Sequence, residues 1–144
     1  MKVRMFIAAA GAALVLGGAG TLAVPAVAST HAATHTLTFT ARTLGQLSFG
    51  QTSADLQETD VNSAGKTIGF DEIYLSFTSM KTGRGNAAFA FHGGLLYVTV
   101  ATTNSGSTYT GNVTGGTGAF AGATGTVVAH VSHNSARIRI TYTT

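Results

Sequence analysis

The chain of 144 residues contains no cysteine. That excludes disulfide staples, a thiol nucleophile and thiolate metal sites, so the fold must rely on its own core. Charge is scarce as well. Of eight Lys and Arg, Lys2 and Arg4 lie at the extreme N-terminus. From residue 29 onward Arg42, Lys66, Lys81, Arg84, Arg137 and Arg139 stand against Asp55, Glu58, Asp60, Asp71 and Glu72, a net +1. No Lys/Arg cluster is left to displace counterions from phosphates, which excludes nucleic acid as a partner. A sustained helical period is missing after residue 28, and there is no G-x-S-x-G elbow and no H-E-x-x-H. His31, His35, His92, His130 and His133 are scattered, and the spacing of the last two puts them on opposite faces of a strand. No metal site is indicated.

What is present begins with an export signal. Lys2 and Arg4 precede an apolar Ala/Gly/Leu/Val run that ends at Pro25 and Ala26-Val27-Ala28. This predicts a signal peptide over residues 1–28, cleaved before Ser29, and a secreted, extracellular product with no membrane attachment afterwards. An uncleaved anchor would need a cationic stop-transfer cluster, and none follows the run. Residues 29–144 are then one domain of ordinary size.

Period-two alternation dominates that domain. Leu37, Phe39 and Ala41 share one face, and Ile73, Leu75 and Phe77 alternate with Glu72, Tyr74, Ser76 and Thr78. Ile138 and Ile140 alternate with Arg137 and Arg139. The runs are broken by turn-forming clusters at Asn62–Gly65, Gly83–Asn86, His92–Gly94, Asn104–Ser107 and His133–Ser135. Eight strands are predicted, starting near Thr34, Ala54, Lys66, Ala87, Leu95, Thr108, Thr124 and Ala136. Short connections between them make an all-β fold, either an eight-stranded antiparallel closed barrel or a two-sheet β-sandwich. Closure is favoured because it leaves the Ile-rich last strand without an open edge.

The segment from Gly111 to Val127, Gly-Asn-Val-Thr-Gly-Gly-Thr-Gly-Ala-Phe-Ala-Gly-Ala-Thr-Gly-Thr-Val, resembles the glycine-rich segment of allene-oxide-cyclase-like and dirigent-like proteins. The stretch Asp60–Phe70 resembles an earlier hairpin of the same family, and the likeness extends from about Asp55 to Tyr142. Independently of any family, Gly115, Gly116, Gly118 and Gly122 form a structural glycine loop, free to adopt bulge and positive-φ conformations, with Phe120 as an apolar plug. A phosphate cradle would need a G-x-G-x-x-G spacing or a following Gly-Lys-Ser/Thr, and neither is present. The resemblance implies an antiparallel barrel with a largely apolar lumen, no cofactor, and chemistry in which an epoxide is cyclised or the coupling of a reactive intermediate is steered. The first strand, Leu37–Arg42, has no acidic residue where the plant cyclases carry one.

Acidic residues are concentrated instead in Asp55–Asp60, where alternation puts Glu58 and Asp60 on the face of Leu56. In an apolar lumen the two form a candidate catalytic acid/base pair, while at a solvated strand end they are ordinary charges. Arg137 and Arg139 bind a ligand carboxylate if they point inward, and are surface charges if Ile138 and Ile140 fill the core. Phe89, Phe91, Tyr97 and Tyr109 are candidate ligand-stacking residues or barrel packing. The leading expectation is therefore a secreted barrel that binds a small apolar or amphipathic molecule in its lumen. A cofactor-free cyclase or isomerase, and a structural protein with a side-chain-filled barrel, are the alternatives. A homo-oligomer is compatible with outward-facing Ile or Phe.

Overall fold

The computed structural model describes residues 32–50, 52–79, 81–102 and 107–144. The expected signal segment and most of the Asn104–Ser107 turn lie outside them. Eight strands, β1 (Thr34–Phe49), β2 (Ser53–Val61), β3 (Thr67–Ser79), β4 (Thr82–Phe91), β5 (Gly94–Thr102), β6 (Thr108–Gly116), β7 (Thr124–Ser132) and β8 (Ser135–Thr143), close into one antiparallel barrel. Each strand pairs with its sequence neighbours and β8 returns to β1, so the sandwich alternative falls away. One 3₁₀ turn, Gly118–Phe120, lies between β6 and β7.

Alternation sorts the residues as the pattern requires. Leu96 and Val98 are buried and Tyr97 is not, and Ile138 and Ile140 are buried between exposed Arg137 and Arg139. β1 runs seven residues past its predicted end at Arg42. The reason is a bulge. Thr43 pairs with Glu58 and Gly45 with Gln57, leaving Leu44 unmatched. One extra residue inverts the faces. Leu47 and Phe49, which uninterrupted alternation would bury, are consequently 65% and 54% exposed. A second correction concerns Gly83–Asn86, predicted as a turn but lying inside β4. There Leu75 and Phe77 of β3 occupy the space that side chains on Gly85 and Gly83 would need. These are strand glycines accommodating large neighbours, as happens where another side chain approaches the backbone closely.

The up-and-down topology gives the barrel two unlike ends. One end carries the β2–β3, β4–β5 and β6–β7 connections. The first of these is an Asx turn, in which the amides of Ala64 and Lys66 donate to Asn62 Oδ1 at 3.0 Å each. Here Phe39, Phe89, Phe91, Phe120 and Tyr142 form a continuous aromatic cluster, with successive ring centroids 5.4–6.0 Å apart. Phe120 is inserted by the 3₁₀ turn, whose Ala119 amide donates to the Gly93 carbonyl at 2.8 Å. Gly118 has φ +59°, and a Cβ there would collide with that same carbonyl, so glycine is required. This end is closed by its own side chains.

At the opposite end lie the β1–β2, β3–β4, β5–β6 and β7–β8 connections. Many inward positions there are small or β-branched, among them Ala87, Val98, Val127, Ala129 and Ala136. Such side chains do not meet across an eight-stranded barrel, and a lumen remains.

Candidate functional site

The lumen is an apolar cavity of about 100 Å³ whose lining includes the exposed Val131 and His133 of the β7–β8 region. Ile73, Val98, Val127 and Ile138 supply much of its wall, Phe89 lies toward its closed end, and Tyr109 is buried along it. A volume of this order matches a single small ring, well short of the roughly 300–1,000 Å³ of pockets for drug-sized ligands.

One acid lines this wall. Glu58 lies on the inner face of β2 at 4% exposure, and Thr43 Oγ1 donates to its Oε1 at 2.9 Å. Thr43 and Glu58 are cross-strand partners just before the β1 bulge, so the last inward position of unbroken alternation on β1 is the one that holds the acid. Burial pushes the Glu58 carboxyl above its ordinary value, and the Thr43 hydrogen bond opposes that.

Two further acids adjoin it. Asp71 of β3 stands directly opposite Glu58, and Asp60 lies one inward step farther from the mouth, paired with Gly69. Asp60 is fully buried and Asp71 nearly so, and no described donor reaches the carboxyl oxygens of either. Two such carboxyls are satisfied only by a proton held between them, because two carboxylates would be acceptors facing each other. Asp71 holds it. Burial, then the charges of Asp60 and Glu58, raise its carboxyl to about 9. Burial also raises Asp60, to about 6, against the hydrogen bond it accepts from Asp71 and with a smaller push from Glu58. The result is a buried, proton-sharing pair behind a cavity-facing glutamate.

The candidates read from the sequence therefore separate. Glu58 and Asp60 are brought together inside the barrel, and the solvated strand-end alternative is corrected: their face is that of Leu56, which also lines the lumen. Phe89 borders the cavity, whereas Phe91 packs in the aromatic cluster at the closed end. Arg137, Arg139 and Tyr97 do not reach the lumen. They point outward because Ile138, Ile140, Leu96 and Val98 take the inward positions of the same strands. Gly115 and Gly116 end β6 where the β5–β6 register skips Thr114, and Gly118 and Gly122 shape the connection that delivers Phe120. Asp71 went unselected in the sequence, although its spacing to Ile73 and Leu75 puts it on their face. Among the described residues no group of three or more His, Asp or Glu is arranged to hold a metal ion. His130 is exposed with Nδ1 3.2 Å from the Thr108 hydroxyl, and His133 sits in the β7–β8 turn at φ +46°.

The sequence matches no protein-family model and no curated protein. Solved structures do match in fold. A pyocyanin demethylase has a TM-score of 0.64 at 16% identity, over 75% of this chain and 99% of that one. A pterocarpan synthase dirigent protein has a TM-score of 0.63 at 15% identity, over 86% and 96%. A nonspecific heme-binding cyclase that catalyses a cycloaddition in neoabyssomicin biosynthesis has a TM-score of 0.62 at 12% identity, over 76% of this chain and 64% of that one. The eight-strand closed topology and these likenesses agree, and the chain has a barrel fold similar to that of a dirigent protein and a cyclase.

Proposed function

We propose that this is a secreted barrel that binds a small apolar or amphipathic molecule in its lumen. The observation that carries this reading is the division of the barrel, with one end filled by aromatic rings and the other left as an apolar cavity with a single acid, Glu58, on its wall. A small-molecule site has this composition, mostly hydrophobic with a few placed polar groups. Native mass spectrometry of the protein recovered from its own culture medium tests it. The expected spectrum shows a chain beginning at Ser29 with a stoichiometric lipophilic adduct. A bare chain that also takes up no small aromatic probe would reject lumen binding, and retention of residues 1–28 would reject export by cleavage.

A second reading, a cofactor-free cyclase or isomerase, is favoured by the acids. Burial raises the Glu58 carboxyl above its ordinary value, and the protonated form of an acid facing an apolar cavity can protonate a departing oxygen or hold an enol while the walls select one conformer. The fold neighbours, which include a dirigent protein and a cyclase, support this reading by analogy alone. The variant Glu58→Gln separates the two: binding retained with turnover lost supports the enzyme, and both retained leaves a carrier.

A further inference from the structure

Apart from the Tyr109 phenol, the ionisable side chains that face the lumen interior are carboxylic acids. Glu58 lines the cavity, Asp60 and Asp71 lie behind it, and His133 stands only at the mouth. All six cations of the described domain, Arg42, Lys66, Lys81, Arg84, Arg137 and Arg139, are exposed on the outside. Buried carboxyls in proteins normally have a cationic or hydrogen-bonding partner. Among the described groups Asp60 and Asp71 have only each other, and Glu58 has only the Thr43 hydroxyl. The barrel thus presents an apolar chamber whose interior acids have no cationic partner among the described residues.

We propose that the lumen selects small lipophilic amines: a ring-sized apolar body between Ile73, Val98, Val127 and Ile138, with its ammonium donating to Glu58. This rests on the lumen-binding reading and names the ligand class for it. A bound ammonium supplies the missing positive charge to Glu58 and, through it, to the Asp60–Asp71 pair. A carboxylate ligand adds a fourth acid to a chamber that cannot screen it, and is rejected on the same ground. The cavity volume of about 100 Å³ limits the body to one ring.

Three isosteric probes, benzylamine, benzyl alcohol and benzoate, test this on the full chain by titration near neutral pH, where the amine is cationic. Benzylamine is expected to bind about tenfold or more tighter than benzyl alcohol, with benzoate weakest, which is the scale of one charge-assisted hydrogen bond. Glu58→Gln is expected to lower benzylamine to the level of the alcohol and to leave the alcohol within about threefold. Equal binding of amine and alcohol to the unaltered protein, or an amine preference that survives Glu58→Gln, overturns the amine inference and leaves lumen binding standing. Failure of all three probes to bind overturns the lumen reading with it. The ranking on the unaltered protein decides the matter even if the variant does not fold.

Discussion

The two ends of the barrel share strands, pairing and alternation, and differ only in what fills the inward positions. On β4 the contrast lies within a single strand: Gly83, Gly85 and Ala87 toward the mouth, Phe89 and Phe91 toward the closed end. β8 repeats it with Ala136 at one end and Tyr142 at the other. Packing density in protein interiors is set by side-chain volume on a rigid frame, so the frame holds open a space that small residues leave unfilled. The acids sit at the boundary, Glu58 on the open side and Asp60 at the level of Gly69 and Phe91. A barrel of this design is packed in one half and keeps a cavity in the other.

The largest effect that this division predicts is in the closed half. Phe39 is 2% exposed and touches both Phe89 and Phe91. Phe39→Ala should cost about 3–5 kcal/mol in denaturant unfolding, the range for a large aromatic removed from a packed core. A loss under about 1 kcal/mol would mean that the aromatic cluster does not carry the fold's stability.

Next comes the proton shared by Asp60 and Asp71. The folded-state carboxyls of Asp71, Asp60 and Glu58 all lie above their unfolded values, at about 9 and about 6 for the first two. An acid raised by folding binds more protons in the native state, so its stabilising share is complete below the unfolded value, near pH 4, and is lost as pH rises toward the folded one. Thermal unfolding should therefore show the highest melting temperature in mild acid and a decline toward pH 9. Asp71→Asn keeps a donor toward Asp60 and removes that titration. It should match the parent near pH 4 and exceed it by on the order of 2 kcal/mol near pH 8. A parent whose stability rises with pH would show that the two acids do not share a proton.

How far this was readable in advance differs between the two halves. Strand number, antiparallel order and the inward face of Ile138 and Ile140 follow from alternation, because a strand with one buried face repeats every two residues. The Leu44 bulge is invisible to that pattern, since it is a mismatch between two strands and not a property of either. Gly83 and Gly85 misled for a related reason: glycine marks turns and close approaches alike, and only the opposing Leu75 and Phe77 distinguish them. The acid cluster was half legible. Glu58 and Asp60 are i,i+2 on one strand, but Asp71 joins them across the β2–β3 register, a relation that composition and spacing do not carry.

Filling the open half should leave stability nearly untouched. Ala129 borders the cavity, and Ala129→Val adds methyl groups where there is unoccupied space. The expected change is within about 1 kcal/mol, with loss of small-aromatic binding measured by titration. The same substitution would be destabilising by about 1–3 kcal/mol if the mouth were packed like the closed end.

The smallest expected effect tests the assignment of faces itself. Arg137 and Arg139 are exposed, and the isoleucines beside them occupy the core. Replacing both arginines with alanine should shift stability by no more than about 0.5 kcal/mol and leave the amine, alcohol and carboxylate ranking unaltered. If the arginines turned inward in solution, their removal would strip the lumen of its only cations and strengthen amine binding still further. If they act from the outside, neutral results here and a large loss at Phe39 belong together, because both follow from one alternation that puts apolar side chains inside and leaves Glu58, Asp60 and Asp71 as the charged-type exceptions.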